Sequence, residues 1–120
     1  MVPDTTVRFV LDVVVHDVTR FRDLVAACVS VSNGEPGTLL YNWYLNEAEG
    51  TARLVEAYDS VDSVIAHTKG PVFTEFGPDL LTACTITKMD AYGDLGRLAD
   101  RPGLWPIVAW GAPFAAINPR

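Results

Sequence analysis

The stretch Glu35 to Lys69, EPGTLLYNWYLNEAEGTARLVEAYDSVDSVIAHTK, holds a turn, two strand-like runs and the start of a helix. Glu35-Pro36-Gly37 makes the turn. From Thr38 to Leu45, alternation separates Leu39, Tyr41, Trp43 and Leu45 from Leu40, Asn42 and Tyr44, as a strand requires. Large groups on both sides imply that both faces are buried or half-buried. A polar turn, Asn46 to Gly50, leads into a second strand over Thr51 to Asp59. Leu54, Glu56 and Tyr58 share one of its faces, Arg53, Val55 and Ala57 the other. Glu56, a carboxylate between two hydrophobes, is the anomaly of this run, because a buried carboxylate must find donors. Ser60 then caps a helix with Asp62 in its first turn, where the helix dipole favours negative charge. Val61, Val64, Ile65 and Thr68 mark its inward side, and His67 lies near it.

The same reading extends outward in both directions. Upstream, Arg8 to His16 is rich in β-branched residues and apolar on both faces, which predicts a strand covered on both sides. Asp17 or Thr19 caps a helix over residues 18 to 32, with Phe21, Leu24, Val25 and Cys28 at helical spacing. Asn33-Gly34 ends it with a left-handed residue. Downstream, Lys69-Gly70-Pro71 breaks the second helix, and Pro71 restarts a short one that Gly77-Pro78 stops. Leu80 to Met89 is the fourth strand, with Cys84 and Ile86 on one face and Ala83, Thr85, Thr87 and Met89 on the other. The order β-α-β-β-α-β is that of a ferredoxin-like split βαβ unit, an antiparallel sheet with both helices on one face. The other sheet face is left bare, and its apolar residues predict a homodimer. Residues 1 to 120 read as a single domain, with a core over 7 to 92 and an extension over 93 to 120 placed at the dimer interface. Within that extension, Leu104 to Trp110 caps a sheet edge or crosses to a partner subunit.

Composition narrows the function. The chain has 120 residues, 49% hydrophobic and 20% charged, a slight apolar surplus that suits a ligand cavity or a subunit interface. A net charge of −6 has the wrong sign for nucleic acid. No apolar run approaches the roughly 18 residues that span a bilayer, so no membrane partner is expected. The first residues lack the features of a signal peptide, which predicts a cytoplasmic protein. Cys28 and Cys84 are far apart and read as buried free thiols. Two histidines on separate elements make no metal-ligand set, and no glycine-rich turn opens a helix as a phosphate site would.

With these elements in place, the middle of the chain resembles the antibiotic biosynthesis monooxygenase family of dimeric α+β barrels. Its members recur with a Glu-Pro-Gly or similar turn, a Tyr-containing strand, a Glu-x-aromatic strand end and an Ala-x-x-x-His helix. Here these are Glu35-Pro36-Gly37, Tyr41, Glu56 with Tyr58, and His67, with Ser63 in place of the family alanine. The resemblance spans about residues 7 to 92. It implies a pocket between sheet and helices in each subunit, and in several members oxidation of electron-rich aromatic substrates by dioxygen with no metal or flavin. Haem-degrading relatives place a tryptophan at the position of His67 and an iron-ligating histidine ten residues on, where this chain has Gly77.

A cofactor-free oxygenase must take a proton from its substrate and stabilise the resulting anion before dioxygen reacts. That assigns catalysis to His67 as base, with Asn42 and Tyr58 as donors, and substrate contact to Trp43, Tyr44, Glu56, Phe73 and Phe76. It assigns no cofactor and no metal. The residues also leave open a His67 that hydrogen-bonds Glu56 or a backbone carbonyl and orients its helix on the sheet. The expected function is a cofactor-independent monooxygenase for an aromatic polyketide or quinol-type molecule. The alternatives are a cyclase or isomerase using the same pocket, and a ligand-binding dimer without catalysis.

Overall fold

Val7–Val15 forms the central strand, β1, because its odd positions are uniformly apolar and bury together against the helices. The computed structural model describes residues 4–100 and 107–117. Helix α1 (Val18–Asn33) follows, capped by Asp17, whose side chain accepts from the Arg20 amide. Then come β2 (Thr38–Asn46), β3 (Thr51–Tyr58) and α2 (Val61–Thr68), the last capped by Ser60. A π-helical turn (Val72–Phe76) runs into α3 (Gly77–Ala83) and β4 (Cys84–Tyr92). A 3₁₀ turn (Gly96–Asp100) precedes a short edge strand, β5 (Ile107–Ala109).

The sheet order is β2-β3-β1-β4-β5, antiparallel throughout except where β5 runs parallel to β4. The first four strands have the expected split βαβ arrangement. Val7, Phe9, Leu11, Val13 and Val15 of β1 meet Leu54 and Tyr58 of β3 and Phe21, Cys28 and Val64 of the helices in the core. The opposite face carries Arg8, Val10, Asp12 and Val14, where Arg53 and Asp12 form a 2.6 Å ion pair. Cys28 and Cys84 are free and buried. Among the described residues, no helix is long and apolar enough to cross a membrane.

Four expectations are corrected. Gly34 closes α1 in a right-handed conformation, φ −88°, with its amide bonded to Val31, so no left-handed residue is needed there. Gly77-Pro78 opens α3 instead of stopping a helix, because proline in a first helical turn has no hydrogen bond to lose. Leu80 to Ala83 are therefore helical, and β4 starts at Cys84. Finally, a bulge interrupts β4: Val13 pairs with Ile86 but Asp12 pairs with Lys88, leaving Thr87 as the extra residue. The extra residue puts Met89 on the same face as Cys84 and Ile86, opposite Leu11. Leu104 to Pro106 of the expected edge segment lie outside the described residues, while Ile107–Ala109 does cap the β4 edge.

Candidate active site

The turn, β2, β3 and α2 converge on His67. Gly37 lets the turn lie directly against α2: a Cβ built there would stand 1.9 Å from Ser63 Oγ. The close approach brings Glu35 under the helix, where one of its oxygens, Oε1, accepts from Thr38 Oγ1 at 2.8 Å and pairs with His67 Nδ1 at 2.6 Å. His67 is 3% exposed and is ringed by Tyr41, Tyr58 and Phe73, with ring centroids 5.3 to 5.6 Å from the imidazole. With Glu35 as acceptor, Nδ1 carries a hydrogen, and in the neutral ring Nε2 is then the basic nitrogen.

Glu56 lies opposite Tyr41 in β2 and Phe9 in β1, on the helix-covered face. Tyr58 donates a short hydrogen bond to it. Burial pushes the Glu56 carboxyl up to about 7; the Tyr58 hydroxyl pulls the other way and the Glu35 charge adds to the rise. Burial also raises both the Tyr41 and Tyr58 phenols, so each keeps its proton across the neutral range. The Cys84 thiol, likewise buried, is pushed up to about 11.

A cavity of about 230 Å³ opens between the sheet and the π-helical turn with α3. Tyr41, Trp43, Glu56 and His67 supply its polar atoms, and Leu11, Leu54, Leu80 and Ile86 its apolar walls. Phe73 and Leu81 line it while 43% and 45% exposed, so its rim is apolar. Gly77 and Pro78 also line it. Trp43 Nε1 is buried without a hydrogen-bond partner among the described residues. A second, smaller chamber shares Leu11, Glu56, His67 and Phe73 with the first.

The expected site residues divide. Trp43, Glu56, His67 and Phe73 meet at the larger cavity, and Tyr58 joins Glu56, His67 and Phe73 at the smaller one. Asn42 and Tyr44 do not come to either: Asn42 pairs with Val55 and Tyr44 with Arg53, so both project from the opposite sheet face, Tyr44 58% exposed. Phe76 packs against the core and lines neither of these two cavities. His67 bonds Glu35, not Glu56 or a backbone carbonyl. Glu35 and Tyr41 are the residues sequence reasoning left out of the site, although Glu35 opens the turn and Tyr41 shares the alternating face with Trp43.

A family model for antibiotic biosynthesis monooxygenases matches residues 6–78, more than half of the chain. The chain belongs to this family. No curated protein matches it in sequence. Among solved structures, MupZ from Pseudomonas fluorescens superposes with a TM-score of 0.82 at 15% identity, covering 95% of each chain. SnoaB, a cofactor-independent oxygenase from Streptomyces nogalater, gives a TM-score of 0.64 at 16% identity over 72% of this chain and 90% of its own. A conserved protein from Methanosarcina mazei Go1 gives 0.67 at 19% identity over 74% and 92%. At these identities the likeness is one of fold. The monooxygenase family model stops at residue 78, so β4, the 3₁₀ turn and β5 lie beyond the matched stretch.

Proposed function

We propose that this protein is a cofactor-independent oxygenase for an electron-rich aromatic molecule of the anthrone or quinol type, with His67 as the base. The observation that carries the reading is the imidazole anchored through Nδ1 to Glu35 at the wall of an apolar cavity, which leaves Nε2 for the substrate's proton. The cavity exceeds the roughly 150 Å³ that accommodates a benzene ring, and its apolar rim suits an aromatic ligand. Removal of a proton from a ring methylene activated by a carbonyl yields an enolate. Its electrons reduce dioxygen, and the net change is CH₂ plus O₂ to C=O plus H₂O, with the substrate as the sole reductant.

Glu56 is the donor that steadies the enolate oxygen. Its carboxyl holds a proton below about pH 7, and Tyr58 positions it by donating to its other side of the charge distribution, at Oε1. MupZ and SnoaB support the scaffold, and SnoaB's designation as a cofactor-independent oxygenase supports the reaction class. The reading also has the chain act as a homodimer through the bare sheet face, where Val14, Leu40 and Tyr44 are exposed; a sedimentation mass equal to one chain at micromolar concentration would contradict it.

The test is oxygen uptake with an anthrone and quinol panel, comparing wild type with Glu56→Gln and His67→Ala. Uptake in wild type, its loss in His67→Ala, and retention in Glu56→Gln without the decline above about pH 7 are expected. Loss of uptake in Glu56→Gln with His67→Ala active would make Glu56 the base. Conversion of the panel without dioxygen would replace oxidation by proton transfer alone.

A further inference from the structure

The second chamber, about 80 Å³, lies across Glu56 and His67 from the substrate cavity. Beyond the residues it shares, Tyr58 and Thr68 line it together with six apolar side chains, Phe9, Val64, Met89, Leu95, Leu98 and Ile107. Three of these come from the segment after β4: Leu95 and Leu98 from around the 3₁₀ turn and Ile107 from β5. The bulge at Thr87 is what turns Met89 into the chamber. The segment that the family model does not match thus builds one side of a space next to the base.

Its size and lining limit what it can hold. An apolar cavity of roughly 150 Å³ takes benzene or xenon, so a chamber near half that volume excludes an aromatic ring and admits a diatomic or a single large atom. Water needs two to four polar partners to settle in such a space. Thr68 Oγ1 donates to the Ile65 carbonyl at 2.8 Å, Tyr58 donates to Glu56 Oε1, and His67 Nδ1 pairs with Glu35. That leaves Glu56 Oε2 and His67 Nε2, on the wall shared with the larger cavity and committed to the aromatic substrate in the reading above. The other walls are hydrocarbon. We infer that this chamber is a binding site for a small apolar gas, dioxygen, held beside His67 and Glu56 and separate from the aromatic substrate. The choice of dioxygen rests on the oxygenase reading above; the apolar site does not.

Xenon is the probe. In a xenon-pressurised crystal of the wild-type chain, one xenon atom is expected between Leu98, Met89 and Val64, and Leu98→Phe should remove it. In steady-state kinetics Leu98→Phe should raise KM for dioxygen about 10-fold, within the limit set by two ligand atoms, while KM for the aromatic substrate stays within about 2-fold. Met89→Phe, at a half-buried position on the sheet side, gives the same test should Leu98→Phe fail to fold. Xenon confined to the larger cavity, an ordered water with several hydrogen bonds in the chamber, or an unchanged KM for dioxygen in a folded variant would overturn the proposal. Seated xenon in a protein that consumes no oxygen would uphold the gas site and remove the oxygenase reading instead.

Discussion

Glu35 and Glu56 make their hydrogen bonds in different settings. Glu35 lies in the turn before β2, its side chain 21% exposed, and accepts from Thr38 and His67. Glu56 lies within β3, 8% exposed, and accepts from Tyr58. Water still reaches the first, while the second carries nearly the full cost of burying a charge, and its carboxyl titrates near neutrality as a result. The difference separates two tasks. In the proposed mechanism the carboxylate at the surface end orients the histidine, and the buried carboxyl serves as a proton donor whose state depends on pH.

If that division is right, His67→Ala should have the largest effect, lowering kcat/KM for oxygen uptake by about 10²- to 10⁴-fold, the usual contribution of a positioned base. Glu56→Gln comes next and is read in stability. The folded carboxyl takes up its proton at about 7, above its ordinary value of 4.5, so the folded state binds more protons than the unfolded one between those values. Wild-type stability should therefore fall as the pH rises from about 4.5 to 7 and stay level above it. Urea unfolding at pH 5 and pH 8 should show Glu56→Gln lacking that fall, a difference of a few kcal/mol. An equal slope in both proteins would place the titration elsewhere.

Glu35→Ala should reduce kcat by about 10- to 100-fold, the range for partners that orient a functional histidine, with little change in the pH dependence of stability. A stability profile in Glu35→Ala that lost its slope would erase the distinction between the two glutamates. The smallest effect belongs to Gly37→Ala. The added methyl meets Ser63 Oγ and Cβ, and overpacking of this kind costs about 1–3 kcal/mol. A lowered Tm with part of the activity retained is expected, because the turn must lift away from α2 and carry Glu35 with it.

Much of the fold was legible because its signals are local. Alternation placed Tyr41 with Trp43 and Glu56 with Tyr58, and the caps Asp17 and Ser60 fall where expected. What escaped has particular causes. Gly77-Pro78 carries a break signal that a helix also tolerates in its first turn. The bulge at Thr87 escaped because a period of two, extended from Cys84, assigns every later residue to the wrong face once one extra residue intervenes. The Glu35 to His67 pair joins residues 32 apart, and only the packing of the turn on α2 brings them together. Asn42 was already separated from Tyr41 by alternation; the cross-strand pairing of Tyr41 with Glu56 shows which of the two faces holds the site.

The bulge in β4 has a further implication for how this strand tolerates change in length. Upstream of Thr87, Cys84 and Ile86 serve the larger cavity, and downstream Met89 serves the smaller one. Removing that single residue would restore a regular alternation along β4. Ile86 and Lys88 would then be neighbours opposite Val13 and Asp12, with Met89 and Ala91 still inward and Lys88, Asp90 and Tyr92 still outward. The bulge is thus the place where β4 can absorb a change of one residue in length, whereas a one-residue deletion beyond Met89 would turn the end of the strand over.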